Sequence, residues 1–257
     1  MRIAALQMQA VAGDVEANLG RIAAAAGDAA RQGASLLVAP ELALTGYGAG
    51  DAILDLAESA EGAQIARLRA IAADSGLTIV AGFAERADGA VWNSAACIDP
   101  AGRLAVYRKS HLYGGYENKL FRAERPLAVT FDHAGMRCGM LICYDVEFPE
   151  NVRRLAQAGA KLVIVPTALP EGWSGRFIAE HVIRVRAFEN QVFVAYVNHC
   201  GADQRFAYAG RSQIAAPDGS LLAQAQANGE ALLVTDLDVA AYAESYEANA
   251  YLADLRS

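Results

Sequence analysis

Three short segments of the 257-residue sequence each place a reactive side chain just past an apolar run. Leu36-Leu37-Val38-Ala39-Pro40-Glu41 ends in a carboxylate. Val106-Tyr107-Arg108-Lys109-Ser110-His111 carries a lysine, and Gly139-Met140-Leu141-Ile142-Cys143-Tyr144-Asp145 carries a cysteine. In α/β sheets, chemistry gathers at the C-terminal ends of strands. Taken singly, each segment has a plain reading: a solvated turn carboxylate, a surface Arg-Lys pair, a small buried hydrophobe. Taken together they supply a full set for acyl transfer. The thiolate is the reactive form of cysteine, and a nearby cation lowers the free thiol value of about 8.5. A carboxylate can take the proton. A fixed ammonium can stabilise the oxyanion of a tetrahedral intermediate. No G-x-S-x-G elbow competes with this set. Whether the three side chains meet depends on the elements that carry them.

Those elements alternate. Residues 3–8 read as a short apolar strand. Val15, Leu19, Ile22, Ala25 and Ala29 recur every three or four residues, which predicts an amphipathic helix over 14–32, closed by Gly33. A buried strand follows at 35–39, then a helix over 62–74 and a strand at 77–83. The rhythm then changes to hairpins: strands at 91–98 and 103–108 around Asp99-Pro100-Ala101-Gly102, and a second pair at 127–131 and 136–143. A helix over 150–158, a strand at 161–166, a helix over 177–189 and a strand at 191–198 come next. Strands at 212–216 and 221–225 flank Pro217-Asp218-Gly219, and 231–236 is the last. These strands and four helices, in this order, predict one layered α/β domain over residues 1–257, without linker or repeat. The tail from about 239 to 257 carries Tyr242, Tyr246 and Tyr251, which suit packing on a partner subunit.

Composition narrows the class. A hydrophobic fraction of 54 % with 20 % charged residues can bury a large core, which excludes disorder as the dominant state. The net charge of -7 argues against nucleic acid as the main partner, because phosphate binding draws on Lys and Arg. No run approaches the roughly 20 apolar residues of a membrane span, and the opening Met1-Arg2-Ile3-Ala4-Ala5-Leu6-Gln7-Met8 lacks the apolar stretch of a signal peptide. Cys97, Cys138, Cys143 and Cys200 form no dense disulfide framework. There is no CxxC or HExxH, and His111, His133, His181 and His199 are scattered, so zinc and redox chemistry have little support. A cytoplasmic location is the expectation.

The sequence resembles the nitrilase superfamily of carbon–nitrogen hydrolases. The resemblance rests on Pro40-Glu41 with Thr45-Gly46-Tyr47, and on Tyr107-Arg108-Lys109-Ser110-His111-Leu112. It continues through Cys143-Tyr144-Asp145-Val146-Glu147-Phe148-Pro149-Glu150, Pro166-Thr167-Ala168, Arg186-Ala187-Phe188-Glu189-Asn190 and Asn198. It implies a four-layer α-β-β-α sandwich and a Glu-Lys-Cys triad. In that triad Glu41 is the general base, Lys109 stabilises the tetrahedral intermediate, and Cys143 forms a thioester acyl-enzyme. It implies no metal and no organic cofactor. Glu117 best matches a second glutamate of the family, ahead of Glu124 and Glu171. The resemblance also implies an aromatic pocket of Tyr47, Tyr116, Tyr144 and Trp173. The Ala168 carbonyl would hold the leaving nitrogen, and the Tyr144 N–H would join Lys109 at the oxyanion.

Tyr144-Asp145 stands where nitrile-hydrolysing relatives usually carry Trp-Glu. The resemblance therefore implies an amidase acting on small aliphatic or aromatic carboxamides. The alternatives are an N-carbamoyl amine or amino-acid amidohydrolase or an ω-amidase; the carboxylate of an N-carbamoyl amino acid or of an ω-amidase substrate would need a cation such as Arg176. A nitrilase ranks below these. A non-catalytic scaffold ranks last, because Glu41, Lys109 and Cys143 are all present. The family commonly forms homodimers, and the helix over 177–189 suits an interface.

Overall fold

The computed structural model describes residues 1–256. Alternation along the first strand, β1 (Arg2–Gln7), sets the layers. Ile3 and Ala5 share a core with Cys138, Met140 and Val163 of a second sheet. Ala4 and Leu6 share another with Leu19, Ile22, Ile65 and Leu68 of two helices. Successive strand side chains point to opposite faces, so each face of this sheet buries its own apolar set.

The strands following in the chain are β2 (Leu36–Val38), β3 (Thr78–Ala87), β4 (Ala90–Ile98) and β5 (Leu104–Arg108). Next come β6 (Thr130–His133), β7 (Met136–Met140), β8 (Leu162–Thr167) and β9 (Phe193–Asn198). The last are β10 (Gln213–Ala215), β11 (Leu221–Gln224) and β12 (Ala231–Asp236). They form two six-stranded sheets, ordered β12-β1-β2-β3-β4-β5 and β11-β10-β9-β8-β7-β6. β1, β2 and β3 are parallel, as are β7, β8 and β9, and the outer strands are antiparallel. Helices Val15–Arg31 and Ala63–Ser75 cover the first sheet. Helix Pro149–Gln157 and the helical run 173–190 cover the second. This is the four-layer α-β-β-α sandwich that the resemblance implies.

Local chemistry explains the helix ends. Asp14 caps the first helix by accepting from Ala17 N at 3.0 Å. Gly76 takes a left-handed φ of 70° and ends the second. Pro149 opens the third, where a missing N–H costs nothing.

The structure departs from the sequence expectation in three places. The ladder of β7 stops at Met140, and Cys143 opens a short turn of 3-10 helix at Cys143–Glu147. Cys143 therefore lies past the end of the strand that carries Cys138. The strand expected at 127–131 is instead Thr130–His133, with Val129 O accepting from Met140 N at 3.2 Å just before it; residues 122–124 lie along the first sheet, Arg122 N donating to Val91 O at 2.9 Å and Glu124 N to Lys109 O at 3.0 Å. Short helices at Ala52–Leu56 and Gly114–Leu120 fall in stretches to which the sequence pattern assigned no element. In the tail, Tyr242 packs edge-on against Phe193, with ring centroids 5.4 Å apart, and Tyr251 meets Phe188 at 5.7 Å. Ser257 lies outside the described residues.

Candidate active site

Glu41 follows β2 on a turn in which Leu42 adopts a left-handed φ of 48°. Gly82 of β3 makes that turn possible. A Cβ there would lie 2.7 Å from Glu41 Cα and would collide with Leu42 N. The turn is stitched to β3 by Gly82 N donating to Pro40 O at 3.0 Å and Leu44 N to Gly82 O at 3.2 Å. The carboxylate is fully buried. Its Oε1 accepts from Lys109 Nζ at 2.6 Å and from Asn93 Nδ2 at 2.7 Å, while Oε2 is buried without a partner. His199 Nε2 lies 2.7 Å from the Glu41 carbonyl oxygen and braces the turn from just past β9.

Lys109 leaves the end of β5, its backbone N–H donating to Asn93 O at 2.8 Å. Its Nζ sits between Glu41 Oε1 and Glu117 Oε1, the latter at 2.7 Å. Burial alone would push the ammonium down. Glu117 and then Glu41 outweigh it and hold Lys109 well above its ordinary value, so it stays charged. Glu117 lies in the first turn of helix Gly114–Leu120 rather than in a loop. Its Oε2 accepts from Tyr113 N at 2.8 Å, and its Oε1 also accepts from Tyr47 OH at 2.9 Å. Burial raises Glu117 against the pull of Lys109. Glu124 lies instead beside Arg108, and Glu171 lines a surface cavity.

Cys143 has a left-handed φ of 44°, an unusual conformation for a residue with a Cβ. This sharp turn follows two residues after β7 ends and places the thiol where the charges of Glu41, Lys109 and Glu117 act on it. Burial raises Cys143 well above its ordinary value, and Glu41 adds to that. Lys109 and the backbone of Ala168 pull the other way and do not win. The expectation that the lysine lowers this thiol is thus reversed by burial. Burial likewise raises Cys138, to about 12, so thiolate content does not set Cys143 apart from its neighbours.

Asp145 joins the two halves of the site. Its Oδ1 accepts from Ser110 Oγ at 2.7 Å and from His111 N at 2.8 Å. Its Oδ2 accepts from Tyr107 OH at 2.9 Å and Ile142 N at 3.2 Å. One buried carboxylate therefore ties the residues around Lys109 to the turn that presents Cys143. Asn93, Asp145 and His199 are the residues that sequence reasoning missed as parts of the site. Asp145 alone carried a signal, its place two residues past the cysteine.

The aromatic residues divide. Tyr47 touches Glu117 directly. Tyr116 stands behind it, donating to Tyr47 O at 2.5 Å. Tyr144 packs edge-on to Phe148 and Tyr113, with centroids 4.9 and 5.2 Å away. Trp173 is 83 % exposed and lines a surface cavity of about 520 Å³ with Arg176, Phe177 and Tyr208. Arg176 pairs with Glu180 at 3.1 Å. His111 stacks on Phe148 at 3.9 Å, with Nδ1 3.1 Å from Asp145 Oδ1. Among the described residues, no group of three or more His, Cys, Asp or Glu side chains is arranged to hold a metal ion. No helix there is long and apolar enough to cross a membrane.

A buried thiol facing a carboxylate with one free oxygen and a fixed ammonium is the equipment of a hydrolase that works through a covalent acyl group. Residues 2–246 match the family model for carbon-nitrogen hydrolases. A protein named as the hydrolase in the pqqF 5' region of Pseudomonas protegens is 44 % identical over all of this chain and 89 % of its own length. An (R)-stereoselective amidase of a Pseudomonas species is 35 % identical over 93 % of this chain and 85 % of its own. The crystal structure of an amidase from Nesterenkonia sp. superposes with a TM-score of 0.89 at 35 % identity, covering all of this chain and 93 % of that one. Other structures of the Nesterenkonia enzyme hold butyramide, or the acetamide moiety of fluoroacetamide added at the active-site cysteine. The chain belongs to the carbon-nitrogen hydrolase family.

Proposed function

We propose that this protein is an amidase that hydrolyses small uncharged carboxamides to the acid and ammonia through a thioester on Cys143. The observation that carries this reading is the buried Oε2 of Glu41, which has no hydrogen-bond partner among the described residues, in a site where burial pushes the Cys143 thiol up. As Sγ attacks the carbonyl carbon, its proton passes to Glu41. The carbonyl electrons move onto oxygen, where Lys109 Nζ and the Tyr144 N–H stabilise them. The intermediate collapses, the C–N bond breaks, and the nitrogen leaves as ammonia with the proton from Glu41. Water then attacks the thioester, giving its proton to Glu41. The second collapse releases the acid and returns the proton to the sulfur. Glu117 holds Lys109 in place throughout, and Tyr47, Tyr144 and the Ala168 backbone bound the substrate.

The uncharged substrate class follows from the charges. Lys109 already serves two carboxylates, and Arg176 is exposed and paired with Glu180, so neither is free to meet a substrate carboxylate. We also infer that the enzyme is a homodimer. Trp173, Phe177 and Val185 leave apolar surface exposed along the helical run 173–190, which a second copy would cover.

The test is intact-protein mass spectrometry with acetamide, propionamide, butyramide and their N-carbamoyl and nitrile counterparts, with ammonia assayed alongside. The expected result is ammonia from the amides and an acyl adduct on Cys143, both lost in Cys143→Ala. Ammonia released only from N-carbamoyl compounds, or from none of the panel, overturns the reading.

A further inference from the structure

The two oxygens of Glu41 have unlike surroundings. Oε1 accepts from Lys109 Nζ and Asn93 Nδ2, and Oε2 accepts from nothing. Lysine alone does not fix which oxygen turns toward the thiol. Its ammonium is a rotating donor on a flexible stem, and here it is shared with Glu117. Asn93 supplies a planar donor from the interior of a sheet. It is 1 % exposed on β4, paired with Ala84 of β3, and its own carbonyl accepts the Lys109 N–H. The amide presents nitrogen to Glu41, because its oxygen would face another acceptor.

Nothing else in the fold uses this amide. Asn93 Oδ1 is buried without a partner, and the bond to Glu41 is the one hydrogen bond its side chain makes among the described residues. A buried polar group left half satisfied is costly, and packing alone would be met by leucine. The amide also adds a donor without adding charge, so it orients the carboxylate and leaves its charge intact.

We propose that Asn93 is a positioning residue for Glu41: with Lys109 it pins Oε1, and so leaves Oε2 as the oxygen that takes the thiol proton. The inference rests on the reading of Glu41 as general base.

Asn93→Asp tests it with little change of shape. Ionised, the introduced carboxylate cannot donate and repels Glu41. Protonated, its O–H can donate to Oε1 as the amide does. The ionised neighbour raises the pKa of the introduced carboxyl. The ratio of N93D to wild-type kcat is therefore expected to rise at least about tenfold between roughly pH 8 and pH 5.5. Alkylation of Cys143 by iodoacetamide, read without substrate, should follow the same ratio. Asn93→Leu should lower kcat about a hundredfold at every pH with KM within about threefold. An N93D ratio that is flat with pH, or N93L with wild-type kcat, overturns the proposal. Glu41→Gln separates the two readings. If it turns over amides at the wild-type rate, the base assignment itself fails. If it is inactive while the N93D ratio stays flat, only the positioning role fails.

Discussion

At Cys143, burial and the charge of Glu41 outweigh the ammonium of Lys109 and hold the thiol above its ordinary value, so in the proposed reaction the nucleophile starts as a thiol and gives up its proton during attack. Four residues further on, burial raises Glu147 from 4.5 to about 7, against Lys109 and then Arg186. A carboxyl that holds its proton more tightly in the fold stabilises the folded state fully below 4.5 and loses that contribution as pH rises from 4.5 through 7. Glu147→Gln removes the penalty of ionising it. Because its side chain is partly exposed, the gain is limited to about 1 kcal/mol, or about 2–4 °C. The variant should melt above wild type at pH 8, with the gap closing toward pH 5. A gap independent of pH would sink this account. Glu41, Lys109 and Cys143 were legible in the sequence because each stands just past an apolar run. Asn93 and His199 were not, because each works through a partner far away in sequence. An asparagine inside a strand signals nothing until the register of β4 is known.

The elements were legible where periodicity marks them, as in the alternating faces of β1 and the repeating apolar positions of helix Val15–Arg31. They were illegible where an apolar run outlasts its ladder. Residues 136–143 read as one strand, yet pairing within it ends at Met140 and a different local structure presents Cys143. The turn that presents Glu41 depends in turn on a residue of β3. In Gly82→Ala the new methyl meets the backbone of Glu41 and Leu42, which cannot yield as a side chain would. The expected costs are about 2 kcal/mol of stability and a kcat about a hundredfold lower. Thermal melts and steady-state kinetics check both. A variant with wild-type kcat would show that the close approach of β3 does not place the carboxylate.

For the molecule as a whole, the order of strands and helices predicted a layered α/β domain. The pairing of two similar sheets came from the resemblance, since strand order cannot be read from periodicity. The exposed Trp173 and Phe177 belong to this scale, because their surroundings in one chain do not account for them. Analytical ultracentrifugation of the wild type should give the mass of two chains. Trp173→Asp combined with Phe177→Asp should give the mass of one. A wild type that sediments as a monomer at micromolar concentration would remove the dimer.

The division of the site between the sheets bears on how the chain is made. The carboxylate, the asparagine and the ammonium come from segments next to β2, β4 and β5, whereas the thiol and Ala168 follow β7 and β8. Translation therefore delivers the proton acceptor well before the nucleophile. The first sheet receives its last strand, β12, only after the entire second sheet has emerged. Until Cys143 is made, the growing polypeptide holds a base with nothing to deprotonate. The triad is thus assembled from strands made at different times, and its parts meet only where the two sheets pack on one another.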